Sequence, residues 1–174
     1  MKNRYEMKFD LKRLTSYCYY KIVRAGGSPD YIARGWAIGM FIGCVIPMSF
    51  QIMISVPLSF LLKGSKIGAV LGTLITNPVS IIFIYPLQCF IGSKLIGGSL
   101  TLAAAQEAMK GVLQEQSWGA LARLGTDLLV SFFAGGLLFA LILTPITYLA
   151  VCQAVVRYRK IRDMLRAEKQ KAAK

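Results

Sequence analysis

GWAIGMFIGCVIPMSFQIMISVPLSFLL, residues 35–62, and IGAVLGTLITNPVSIIFIYPLQCFIGS, residues 67–93, decide the fold. Neither holds an Asp, Glu, Lys or Arg, and each exceeds the roughly 20 apolar residues that an unbroken transmembrane helix needs. The two share an order of parts. Glycines four apart (Gly35, Gly39 and Gly43, then Gly68 and Gly72) lead to a break with proline, Pro47 in one and Asn77-Pro78 in the other. A second proline follows (Pro57, Pro86), and then Gly-Ser-Lys (Gly64-Ser65-Lys66, Gly92-Ser93-Lys94). Paired hydrophobic segments with a proline break in corresponding positions point to a buried polar site, because a broken helix exposes backbone polar groups at membrane depth.

A third charge-free stretch, 128–156, contains Gly135, Gly136 and Pro145. Together the three stretches predict an all-α, polytopic integral membrane protein. It has two Pro-broken segments, re-entrant or discontinuous, and a C-terminal transmembrane helix with a kink. Unbroken, residues 35–62 would reach about 42 Å at 1.5 Å per residue, against a hydrocarbon core of roughly 30 Å, so a break or strong tilt is required. The first 34 residues are too polar for the apolar region of a signal peptide, so the first hydrophobic segment is expected to be its own insertion signal.

The net charge of +13 is confined to the ends: residues 1–34 hold eight Lys or Arg against three acids, and 157–174 hold eight against two. In a soluble chain this would suggest nucleic acid. On a membrane protein it predicts cytoplasmic termini and attraction to anionic headgroups, with no nucleic-acid partner. The expected organisation is a basic amphipathic cytoplasmic helix over 1–27 and a paired broken-helix module over 28–99. An amphipathic, periplasmic surface segment over 100–127, a span over 128–156 and a basic cytoplasmic tail over 157–174 complete it. Ser28-Pro29-Asp30 reads as a helix start: an N-cap oxygen, a proline where its missing N–H is harmless, and a carboxylate near the positive helix end.

Cytoplasmic termini require an even number of crossings, yet three stretches crossing once each give an odd one. One stretch must turn back. Because Lys63 and Lys66 prefer the cytoplasmic side, residues 35–62 are expected to form a re-entrant hairpin with its tip near Pro47, 67–93 a broken outward span and 128–156 the return. The internal similarity favours like geometry in both units, with the third stretch also turning back, and both readings stand.

Pro47 removes the N–H that would bond the Gly43 carbonyl, and Pro78 does the same to Leu74. Ser49, Gln51, Thr73, Thr76, Asn77 and Ser80 lie near enough in sequence to serve the freed carbonyls in a medium without water. The candidate binding residues are Arg34, Pro47, Ser49, Gln51, Thr76, Asn77, Pro78 and Ser80. Binding and backbone capping are both open for the carboxamides. For Arg34, a phosphate or carboxylate contact competes with snorkelling to bulk lipid. Gly35, Gly39, Gly43, Gly68 and Gly72 read as helix-packing ridges. Histidine is absent, no acid lies within the apolar stretches, and no cysteine has metal-ligand spacing, so neither an enzyme nor a metal or other cofactor is expected.

Ala33-Arg34-Gly35, Gly39, Pro47-Met48-Ser49-Phe50-Gln51, and Gly72 through Asn77-Pro78 with Tyr85 and Gly92 resemble an uncharacterised bacterial membrane family, domain of unknown function 2062, over about 28–96. The family's marked positions fall on Arg34, Pro47, Gln51, Asn77 and Pro78, whereas Lys63-Gly64-Ser65-Lys66 departs from its pattern. The resemblance implies a Gram-negative inner-membrane protein, with relatives fused to a glycosyltransferase, and so a link to envelope polysaccharide or lipid metabolism. The expected function is to bind a polar or anionic headgroup of an envelope precursor such as a lipid-linked sugar or phospholipid, with its translocation as a further step open to the same site. The alternative is a non-catalytic accessory or scaffold subunit of an envelope-biogenesis complex. Expected partners are membrane lipids, and a second copy or an envelope-biogenesis protein.

Overall fold

The computed structural model describes residues 26–76, 78–107 and 126–172, and their regular structure is entirely helical. The expected helix at 1–27 falls almost wholly outside these residues, as do 108–125 of the surface segment, Asn77 and the side chains of Ser49 and Pro78.

Helix α1 is Pro29–Val45, and the Ser28 side chain accepts from the Tyr31 N–H at 3.1 Å to cap it. It stops because Pro47 forces Ile46 into an extended conformation (φ −105°, ψ 135°). With Pro47 as its N-cap, α2 runs Met48–Leu61. The chain then folds back on itself. The Ser65 N–H donates to the Tyr31 carbonyl at 3.0 Å, and Gly64 seats against the backbone of Arg34 and Gly35. The end of α2 therefore lies beside the start of α1, in a helical hairpin with its tip at Ile46–Pro47. Its arms, 17 and 14 residues, are about 25 and 21 Å long.

Helix α3, Lys66–Thr73, is capped by the Ser65 hydroxyl, which accepts from the Gly68 N–H, and it runs parallel to α1 at backbone contact. A Cβ on Gly35 would overlap the Ser65 carbonyl, one on Gly39 the Ala69 carbonyl, and one on Gly43 the Thr76 hydroxyl. After a tight turn at Leu74–Thr76, Pro78 opens α4, Pro78–Leu95. The two units thus differ in geometry. In the first the second arm returns along the first, whereas α4 leaves α3 and packs chiefly on the last helix. Like geometry, one of the two readings the sequence left standing, is not what forms.

That last helix, α5, runs Thr126–Ala172 without interruption through Pro145. The expected span, 128–156, and the expected basic tail, 157–174, are therefore joined in one helix about 70 Å long. It is antiparallel to α4, with Gly92 against Ser131 and Gly135 against Gln88. It is also antiparallel to α1, with Gly136 at Cys44, Ala140 beside Met40, and Tyr148 bonded to Asp30. Between α4 and α5 the core is Ile81, Tyr85, Cys89, Leu128 and Phe132, with the Tyr85 and Phe132 rings edge-on at 5.0 Å. Ala105, from a helical stretch at 102–107, closes it.

Among the described residues, α5 alone is long and apolar enough to cross a membrane; the apolar parts of α2 and α4 fall short. Large apolar side chains nevertheless face outward all over the molecule, Met53, Phe60, Leu61, Phe83 and Leu141 each more than 60% exposed. A water-soluble monomer rarely carries so much.

Candidate functional site

Two polar clusters stand at opposite ends of α1. The first is the hairpin tip. Pro47 cannot donate to the Gly43 carbonyl; Gln51, one turn on and 1% exposed, does so instead. Its Nε2 donates to Gly43 O at 3.0 Å and to Ile46 O at 2.7 Å. The Thr76 hydroxyl, from beyond α3, lies 3.1 Å from Gln51 Oε1 and 2.9 Å from the Thr73 carbonyl. It has one proton to give, so it serves one of these at a time. Gly43 leaves room for it, since a Cβ there would stand 2.9 Å from that hydroxyl and force it to shift.

Sequence reasoning missed the third member, Gln88. Wholly buried, it donates from Nε2 to the Cys44 carbonyl at 3.0 Å and to the Phe132 carbonyl at 2.8 Å, while its Oε1 has no partner. Gly136 admits it, as a Cβ there would overlap the Gln88 amide. Two glutamines from later helices thus serve the last carbonyls of α1, the negative end of its dipole. Capping accounts for both protons of each carboxamide, so the binding alternative for Gln51 has no donor left on that side chain.

Of the other candidates, Ser80 donates across the second break to the Ile75 carbonyl at 2.8 Å, apart from the first cluster. Pro78 opens α4. Arg34 is far from the tip: thirteen residues of helical rise, about 20 Å, separate it from Pro47. The structure therefore brings Pro47, Gln51 and Thr76 together and leaves Arg34 in a second cluster.

In that cluster Arg34 Nε and Nη2 both donate to Asp30 Oδ2, the former at 2.8 Å, and the Tyr148 hydroxyl donates to Asp30 Oδ1 at 2.5 Å. The hydrogen bond from Arg34, then that from Tyr148, holds the Asp30 carboxyl below its ordinary 3.8, and Arg34 is raised in return. Beside Arg34 opens a cleft of about 580 Å³ between α1, α2 and α5, lined by Ala37, Ile38, Phe41, Leu58, Leu62 and Thr144. The Thr144 hydroxyl is buried without a partner. Its only sequence signal is a hydroxyl directly before Pro145 in a largely apolar run.

No curated protein and no solved structure matches the chain. A family model does, over residues 12–164, a span that takes in the hairpin, both polar clusters and most of α5. The chain belongs to that family, described as an uncharacterized protein conserved in bacteria, DUF2062.

Proposed function

We propose that this protein is a non-enzymatic, multi-pass protein of the bacterial inner membrane that binds an amphiphilic lipid. The acyl part occupies the cleft between α1, α2 and α5, and the polar or anionic head lies beside Arg34. The observation that carries this reading is the cleft itself: apolar walls, one charged lining group at Arg34, and one buried hydroxyl, Thr144, with nothing to bond. Arg34 spends two of its five donors on Asp30, which leaves guanidinium N–H groups for a phosphate or carboxylate. Envelope-precursor lipids fit this chemistry, and the class expected from the sequence is retained with its site moved from the breaks to the cleft.

The topology proposed with it has α1 and α2 as a re-entrant hairpin from the cytoplasmic face, α3 and α4 as a broken crossing, and α5 as the return, with both termini cytoplasmic. Its support is a spacing. From Asp127 to Tyr148 there are 21 helical residues, about 32 Å, close to the roughly 30 Å of the hydrocarbon core. Arg34, Lys63 and Lys66 stand at the Tyr148 end, where the basic part of α5 continues. The alternative, an accessory subunit docked through its glycine ridges, loses its surface, because those ridges are spent inside the chain between α1 and α3.

The test is native mass spectrometry of protein purified in mild detergent. Wild type is expected to carry a lipid, and Leu58→Trp, which fills the cleft, to lose it while thermal stability is kept. Thr144→Val and Arg34→Ala should weaken retention. A wild type without lipid, or a Leu58→Trp variant with undiminished lipid, overturns the proposal.

A further inference from the structure

The end of α2 carries a cation where glycine is the usual residue. The Lys63 N–H donates to the Phe60 carbonyl at 3.2 Å and the Gly64 N–H to the Ser59 carbonyl at 2.7 Å. This is the Schellman pattern, whose residue after the cap is left-handed and commonly Gly. Here that residue is Lys63, φ 52°, the one non-glycine with positive φ among the described residues, while Gly64 stands one position later. Left-handed backbone is disfavoured for any residue with a Cβ, and such departures gather where a side chain has a task.

What surrounds Lys63 shows the task. The Ser65 N–H bond to the Tyr31 carbonyl fixes the loop on α1, so the lysine stems leave from a set position. Lys66 follows within a turn and holds its Nζ 5.0 Å above the Phe60 ring. Between the two lies a cavity of about 550 Å³ that Tyr31, Phe60 and Leu61 complete. Among the described residues neither lysine has a carboxylate partner, in contrast to Arg34 with Asp30. Phe60, Leu61, Leu62 and Ile67 adjoin them, all more than half exposed. Apolar side chains that need hydrocarbon, with uncompensated ammonium groups one residue away, describe a headgroup boundary.

We propose that Lys63 and Lys66 form a binding site for the phosphate of an anionic membrane phospholipid, separate from the Arg34 cleft. The lysines supply the charge, and Phe60, Tyr31 and Leu61 receive the glycerol and upper acyl region. The site rests on the membrane-embedded reading above but not on occupancy of the cleft.

The experiment reconstitutes the full chain in nanodiscs of mixed phosphatidylglycerol and phosphatidylcholine and counts the lipids retained on release in native mass spectrometry. Wild type is expected to prefer phosphatidylglycerol, and Lys63→Gln with Lys66→Gln to lose roughly tenfold or more of that preference. The double Arg variant is expected to keep it. Lys63→Gly separates folding from binding: it relieves the left-handed backbone, so the melting temperature should rise while the preference falls. A wild type without preference, a double Gln variant that still selects phosphatidylglycerol, or a Lys63→Gly variant with undiminished preference each overturns the site. Failure of the chain to enter nanodiscs at all overturns the membrane reading instead, and Leu58→Trp, which blocks only the cleft, should leave the phosphatidylglycerol preference unchanged.

Discussion

Gln51 bonds the carbonyl of Gly43, the acceptor that Pro47 strands when it ends α1. Proline breaks the ladder, and a carboxamide one turn further on restores it, so the break is a built joint. In the membrane setting proposed above, the stranded carbonyl would have no water to turn to. Gln51→Leu leaves the carbonyls of Gly43 and Ile46 unserved, at roughly 1 to 3 kcal/mol each. The expected result is a melting temperature in detergent several degrees below wild type, with cleft lipid retained. A cycle with Thr76→Val should show non-additivity, because Thr76 acts on the same carboxamide. Loss of the lipid without loss of stability would instead place a ligand at the tip.

Glycine substitutions sort by what a Cβ would meet. Gly39→Ala drives a methyl into the Ala69 carbonyl and the Gly72 backbone, and Gly135→Ala into the Gln88 carbonyl. Backbone cannot yield as a flexible side chain does, so each should cost about 1 to 3 kcal/mol, read as lowered unfolding temperature. Gly26 has nothing within 4 Å and serves as control, expected within about 0.5 kcal/mol of wild type. Equal effects at all three positions would mean that the close packing of α1 on α3 and of α4 on α5 is not what holds the bundle.

The parts of this fold written in local covalent logic were legible from sequence. Pro47 and Pro78 end or begin helices because proline lacks an N–H and constrains its predecessor, and Gln51 lies within one turn of the damage. The fold-back was only an inference from charge, since it is fixed by the meeting of Ser65 with Tyr31 and by the α1–α3 glycine contact, neither of which a linear pattern displays. Gln88 escaped for the same reason: both its acceptors, Cys44 and Phe132, are 44 residues away. At Arg157 the composition changes from apolar to basic, yet Arg, Lys, Leu, Met, Ala and Glu all favour helix, so α5 continues into the tail.

Asp30 gives a pH signature. Its carboxyl, held low chiefly by Arg34 and then by Tyr148, contributes stability that is complete above the ordinary value of 3.8 and is lost as pH falls through the lower folded value. The contribution of this network to unfolding temperature should therefore be fully present and independent of pH between pH 5 and 8, and should decline only in strong acid. Asp30→Asn should remove that part of the decline, leaving the remainder to the other carboxylates. The site is exposed, so the difference is small. A change centred near neutral pH that Asp30→Asn abolishes would contradict the assignment.

The proposed topology rests on the distance between two polar levels along α5, Asp127 and Tyr148. Lys63 lies beside Tyr31 at the level of Tyr148, whereas Ser99 lines a cleft of about 780 Å³ with Asp127 and Ser131 at the helix start. About 32 Å of charge-free helix separates these levels, enough to place them on opposite faces of a bilayer. If the hairpin is re-entrant, α1 and α2 begin and end on one side. In a background with Cys18, Cys44, Cys89 and Cys152 replaced, single cysteines at Lys63 and Lys171 should resist an impermeant thiol reagent in intact cells, and one at Ser99 should react. After permeabilisation all three should react. Reaction at Lys63 with protection at Lys171 would mean that α2 crosses and does not turn back, and the lysine pair would then face the outer leaflet. Reaction at Lys171 in intact cells would invert the whole assignment, because the basic end of α5 would lie outside against the charge rule that oriented it.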